Sequence, residues 1–121
     1  MQKSKQAQAR AFSPKVQMKI WNRDHGSCIF CEMGYKPTDE ENFMVSVKDI
    51  MHYVPRSADG LGIEENGAVG CRYHHHMLDN GNKGDREEML GLMADYLRGI
   101  YPEWDSVNKK YSKWEGLAFV R

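Results

Sequence analysis

Residues 44–80 read MVSVKDIMHYVPRSADGLGIEENGAVGCRYHHHMLDN, and the reading of this stretch decides the fold. Val45, Val47, Ile50, His52 and Val54 alternate well enough to predict a strand from Met44 to Val54, ended by Pro55. Gly60, Gly62, Asn66 and Gly67 predict a loop over 56–67. Ala68-Val69 predicts a short second strand that leads into Cys71. A helix is then expected through His74, His75, His76 and Leu78, closing at Asn80-Gly81. Two short strands joined by a glycine-rich loop and followed by a helix make a small α+β unit.

Outward from this unit, Ser13-Pro14 is a helix start, with serine as the cap and proline in the first turn. Val16, Ile20 and Trp21 are expected on its apolar face, and Gly26 is expected to stop it. Cys28 and Cys31 fall in a tight turn, and 34–44 reads as an irregular loop. On the other side, Gly84-Asp85 opens the clearest helix, with Asp85 and Glu88 spaced as a capping box. Met89, Leu92, Met93, Tyr96, Leu97 and Ile100 recur at helical spacing and predict a core stripe, stopped by Pro102. The organisation expected is a basic flexible tail over 1–12, a core over 13–82, and a helix with an aromatic, basic extension over 83–121.

A chain of 121 residues suits one domain, and a domain this small often needs a staple. Its three cysteines, Cys28, Cys31 and Cys71, are an odd number for a disulfide framework. No apolar run is long enough for a signal peptide or a membrane span, so a reducing cytoplasm is the expected setting. The net charge is +0, which by itself does not predict nucleic-acid binding. The distribution says more: Lys3, Lys5, Arg10, Lys15, Lys19 and Arg23 all precede the first acid, and Lys109, Lys110, Lys113 and Arg121 cluster at the other end. Such ends could hold phosphate backbone or serve as solubilising tails.

Cys28-Ile29-Phe30-Cys31 and Cys71-Arg72-Tyr73-His74 are two pairs with two-residue spacers. Three thiolates and an imidazole form the tetrahedral sulfur and nitrogen set that suits zinc, and a closed set of four is structural. The set also consumes all three cysteines. The competing reading, a redox dithiol at Cys28 and Cys31, would need a thioredoxin-like βαβ pattern that is absent. His75 or His76 could replace His74, but only His74 has the two-residue spacing.

The remaining polar residues fall in the order strand His52, loop Asn66, helix His75, with Asp79 one turn beyond His75 on the same face. Phosphodiester hydrolysis needs a base to deprotonate water, and imidazole is suited to that near neutral pH. It also needs a hard cation for the charge that builds on phosphate and leaving oxygens. His52 is the natural base, His75 a natural ligand, and Asp79 an oxygen donor of the kind magnesium prefers. Arg56 could pair with a neighbouring phosphate. Taken singly, each residue has a plainer use. His52 could be an ordinary strand histidine, Asn66 a turn residue before Gly67, and His74-His75-His76 a low-specificity metal tract.

The runs His52-Tyr53-Val54-Pro55-Arg56-Ser57, Gly60 to Gly67 and Cys71-Arg72-Tyr73-His74-His75 together resemble the HNH endonuclease family, most closely its small phage and prophage members. The likeness covers about residues 14–82. It implies a zinc-stapled ββα-metal (His-Me) finger with an N-terminal helix and a C-terminal helical extension. It implies His52 as general base, Asn66 as the residue that orients it, and His75 with Asp79 as ligands of a catalytic Mg2+ or similar divalent ion. Cys28, Cys31, Cys71 and His74 would hold structural Zn2+. The implied substrate is double-stranded DNA, and the setting a bacterial host cell, with phage packaging, replication, homing or defence as the process. Two departures stand out. The family usually has Asp or His directly before the base, where this chain has Met51, a poor ligand for a hard cation. The second zinc pair usually ends in Cys, where this chain has His74. Asp49 or a water is the nearest substitute for the missing ligand, although a strand is expected to turn the Asp49 side chain aside. A zinc-braced DNA-binding module that no longer cuts is the alternative, and an interaction domain using Trp104 to Phe119 a weaker one.

Overall fold

The computed structural model describes residues 11–39, 41–58 and 60–104; the side chains of Arg56 and Lys83 are outside the description. The described residues form four α-helices, three short 3-10 turns and one two-stranded antiparallel sheet: α1 (Pro14–Arg23), α2 (Ile29–Glu32), β1 (Lys48–His52), β2 (Gly67–Cys71), α3 (Arg72–Asn80) and α4 (Lys83–Ile100), with the 3-10 turns at Phe43–Val45, Arg56–Ala58 and Glu64–Asn66. No helix among the described residues is long and apolar enough to cross a membrane. The basic ends, Lys3, Lys5 and Arg10 on one side and Lys109 to Arg121 on the other, lie outside the described residues.

Local chemistry sets most boundaries. Ser13 caps α1, its hydroxyl accepting from the Val16 N–H at 3.2 Å. His25 and Gly26, at φ 58° and 64°, then turn the chain out of the helix. The Gly26 Cα lies so close to the Trp21 indole that a Cβ would sit 2.8 Å from its ring. Only Ile20 is buried on α1; Trp21, expected on the apolar face, is 40% exposed. The turn holding Cys28 and Cys31 is a single helical turn capped by Cys28.

The hairpin differs from expectation at both strands. β1 is five residues rather than eleven, because 43–45 forms a 3-10 turn capped by the Asn42 side chain on the Met44 N–H. The alternation changes parity between Val47 and Ile50, so the longer strand would have had no single apolar face. β2 is longer than Ala68-Val69 and supplies five partners, Lys48 opposite Cys71 through His52 opposite Gly67. Met51 is fully buried and lies over Gly70, where a Cβ would come within 2.3 Å of the Met51 sulfur.

α4 begins at Lys83, earlier than expected, and its cap is Asn82, which accepts from the Asp85 N–H at 2.8 Å. Asp85 is therefore the third residue of the helix, and its carboxylate accepts from the Asn82 side-chain amide at 3.1 Å rather than opening a box with Glu88. Met89, Met93 and Leu97 are fully buried, as the stripe predicts, and Ile100 is 38% exposed. They share one core with Phe30, Met51, Ala68, Leu78 and Trp104. Trp104 donates its indole N–H to the Glu65 carbonyl at 2.6 Å.

One buried polar network ties α1 to the sheet and to α4. Asp24 is 5% exposed and accepts from Arg23, from the Val69 N–H at 2.8 Å and from the Tyr96 hydroxyl. Arg23 donates onward to the Glu64 and Gly67 carbonyls at 2.8 and 2.6 Å and to the Tyr101 hydroxyl at 3.3 Å. Burial opposes the Arg23 charge, yet Asp24 and Tyr101 outweigh it and hold its pKa above the ordinary value. Arg23 is thus a structural residue, not one of a set of free basic groups for phosphate.

Candidate metal cluster and adjacent cleft

The α2 turn and the β2–α3 junction bring Cys28, Cys31, Cys71 and His74 together, with all four candidate ligand atoms within 4.8 Å of one another. His74 Nδ1 lies 3.6, 3.5 and 3.3 Å from the sulfurs of Cys28, Cys31 and Cys71, and the Cys31 and Cys71 sulfurs are 3.7 Å apart. A tetrahedron with Zn–S of about 2.3 Å and Zn–N of about 2.0–2.1 Å has edges of about 3.8 Å between sulfurs and about 3.6 Å between sulfur and nitrogen. The observed spacings fit that figure, so the cluster could hold a metal ion such as zinc. The outer contact fits too: the other ring nitrogen of His74, Nε2, lies 2.7 Å from the Tyr35 carbonyl, the kind of partner that fixes a ligating tautomer. Burial and the neighbouring Cys28 and Cys71 sulfurs push the Cys31 thiol up to about 12, the expected cost of gathering thiolates without a cation. Sequence spacing identified all four residues, and the fold makes the set compact because Cys71 caps α3 and its sulfur accepts from the His74 N–H at 3.4 Å.

One residue further along α3 the environment changes. His74 is 1% exposed, whereas the His75 side chain is 25% exposed and points to a cleft of about 480 Å3. His52, His75 and Asp79 all line this cleft, together with Ile50, Ser57 and Arg86. His75 Nε2 lies 3.0 Å from Asp79 Oδ2 across one helical turn. His52 also faces a second groove between α1 and β1, where Phe12 stacks on its ring with centroids 4.0 Å apart and planes at 29°. Ala11 and Phe12, expected to end a flexible tail, are packed in place because Gly62 and Gly67 have no side chains there. A Cβ on either glycine would meet Ala11 or Phe12 within 3 Å.

Asn66 does not line the cleft; it is fully buried behind it. Its amide nitrogen donates to the Val54 and Leu61 carbonyls at 3.1 and 2.7 Å, and its side-chain oxygen accepts from the Val54 N–H at 2.9 Å. Its backbone carbonyl accepts from the Tyr53 N–H at 2.9 Å. One side chain therefore closes the loop immediately after His52, a bridging geometry beyond what a turn residue before Gly67 would need. The phosphate contact expected of Arg56 rests on a side chain outside the described ones. His76 is exposed and lies 3.3 Å from its helix neighbour Asn80.

Two residues of this region escaped sequence reasoning or were misjudged by it. Arg86 reaches back from α4, donates to the Leu78 carbonyl at 2.8 Å and presents a cation to the cleft. Its position in a charged helix carried no signal of this. Asp49 is not turned aside: its Oδ1 lies 2.6 Å from His75 Nδ1 and its Oδ2 3.8 Å from Arg72 Nε. The expectation failed on strand geometry. Residues two apart share a face, so Asp49 points the same way as Met51, the position that lacks a ligand. Compared with protein-family models, with curated proteins and with solved structures, the chain gives no match, so the candidate site stands on its own geometry.

Proposed function

We propose that the chain is a metal-dependent DNA endonuclease of the HNH type, a ββα-metal finger stapled by zinc at Cys28, Cys31, Cys71 and His74. The observation that carries this reading is the common cleft: a strand imidazole, a helix imidazole and a helix carboxylate share one solvent-open wall beside a closed Cys3His cluster. His52 accepts the proton of a water as its oxygen attacks phosphorus and the ester P–O bond breaks. Phe12 packed on the His52 ring, and Asn66 closing the loop that follows, limit how far that imidazole can turn. Arg86 supplies positive charge to a phosphate lying in the cleft.

His75 and Asp79 are the residues that would hold a divalent ion. Their facing atoms are 3.0 Å apart, close to the edge of an octahedron with ligands at about 2.1 Å. When bound, such an ion neutralises the charge that develops on the phosphate and leaving oxygens. The staple serves a different end: it joins the α2 turn to the β2–α3 junction and so sets the helix that carries His75 against the strand that carries His52.

The test is nicking of supercoiled plasmid with Mg2+, Mn2+ or Ni2+, with zinc content measured on the same samples. Wild type is expected to nick, and chelator or His52→Ala to abolish nicking. A second reading, a zinc-braced DNA-binding module without cleavage, draws on Met51, whose burial removes it from any ligand role. DNA retention at low salt with intact plasmid in every metal would select that module.

A further inference from the structure

We infer that Asp49 is a positioning residue for His75, holding Nδ1 as the protonated nitrogen so that Nε2 is the one offered to a divalent cation in the cleft. The inference rests on the metal-site reading above and specifies which atoms make it. The two nitrogens of His75 face different surroundings. Nε2 is on the side of Asp79, which lines the cleft, at 3.0 Å from its Oδ2. Nδ1 is on the side of Asp49, which lines the groove between α1 and β1 instead. The separations differ in the same sense. A distance of 2.6 Å between Asp49 and Nδ1 suits a charge-assisted hydrogen bond and is short for two atoms sharing an octahedral ion, whose spacing is about 3 Å. Asp49 is in turn steadied by Arg72, 3.8 Å from its other oxygen. A carboxylate behind a metal-binding imidazole fixes its tautomer and raises its basicity. Asp49 thus acts at the position where Met51 offers no ligand, from the same face of β1 but through the imidazole.

The inference is tested on the full zinc-loaded chain with Mn2+ as the probe. In long-range 1H–15N spectra of the wild type without added Mn2+, His75 Nδ1 is expected to carry a proton. Asp49→Asn is expected to weaken Mn2+ binding by about 10- to 100-fold, the usual loss for such an outer partner, with zinc content and unfolding temperature unchanged. An unprotonated Nδ1 in the wild type, wild-type Mn2+ affinity in Asp49→Asn, or no Mn2+ uptake by the wild type would each overturn it. If Asp49→Asn loses zinc, the wild-type Nδ1 protonation alone decides. Neither readout requires DNA cleavage: a chain that passes both and nicks nothing keeps this inference and loses the nuclease reading.

Discussion

His74 and His75 are neighbours on one helix, and the two regions they enter could hardly differ more. His74 is sealed among three sulfurs and a backbone carbonyl, so every polar direction around it is taken. His75 lies between two carboxylates, and one of them, Asp79, shares the wall of an open cleft with it. A step of one residue turns a helix by about 100°, enough to send adjacent side chains to different sides. The contrast separates two uses of the same chemical group. A closed four-ligand set contributes to stability, whereas an open pair leaves positions for chemistry. Changes in the first region should therefore be read in folding, and changes in the second in activity.

The largest effect should come from emptying the cluster. Chelation, or Cys71→Ser, is expected to abolish cooperative unfolding in circular dichroism, because metal binding of this kind is worth about 10–16 kcal/mol in small zinc domains. A chelated protein that melts as before would erase the distinction between the regions. Next comes His52→Ala, expected to cut plasmid nicking by about 10^2–10^4-fold while zinc content stays intact. Equal losses of zinc and nicking would assign His52 to structure.

Asn66→Ala lies between the two regions and should lower both stability and nicking. It leaves the Val54 N–H and two buried carbonyls without partners, at a cost of about 3 kcal/mol in urea unfolding. A smaller, pH-dependent effect belongs to Tyr96, whose pKa burial and the Asp24 contact raise from 10.0 to about 12. Its folded pKa lies above the unfolded one, so its contribution is present below pH 10 and is lost as pH rises through about 12. Tyr96→Phe is expected to flatten that part of the wild-type alkaline stability curve. His76→Ala is the control, with stability changed by about 0.5 kcal/mol or less and zinc content and nicking unaltered.

The cluster was legible because its signal is local. Two-residue spacers at Cys28/Cys31 and Cys71/His74 define which side chains can meet one ion, and pairing the two turns needs no knowledge of the path between them. The α4 stripe was legible for a similar reason, since Met89, Met93 and Leu97 follow the helical repeat. The hairpin was legible only in outline. Its strand lengths depend on which residues find partners, and the five positions of β2 trimmed β1 to match. Arg23 and Asp24 gave no warning that they would be buried together, because their partners Gly67, Val69, Tyr96 and Tyr101 lie more than forty residues away in sequence.

By itself the order of residues determined the α+β character, the two pairs of candidate ligands and the pairing of His75 with Asp79, each of which follows from spacings of a few residues within an element. Only the tertiary structure decided that Asp49 stands behind His75, that Asn66 is locked inside the loop, that Phe12 lies on His52 and that Arg86 reaches the cleft. Those contacts join elements far apart in the chain. Their geometry is set by how the sheet and helices share a core, which no local period encodes.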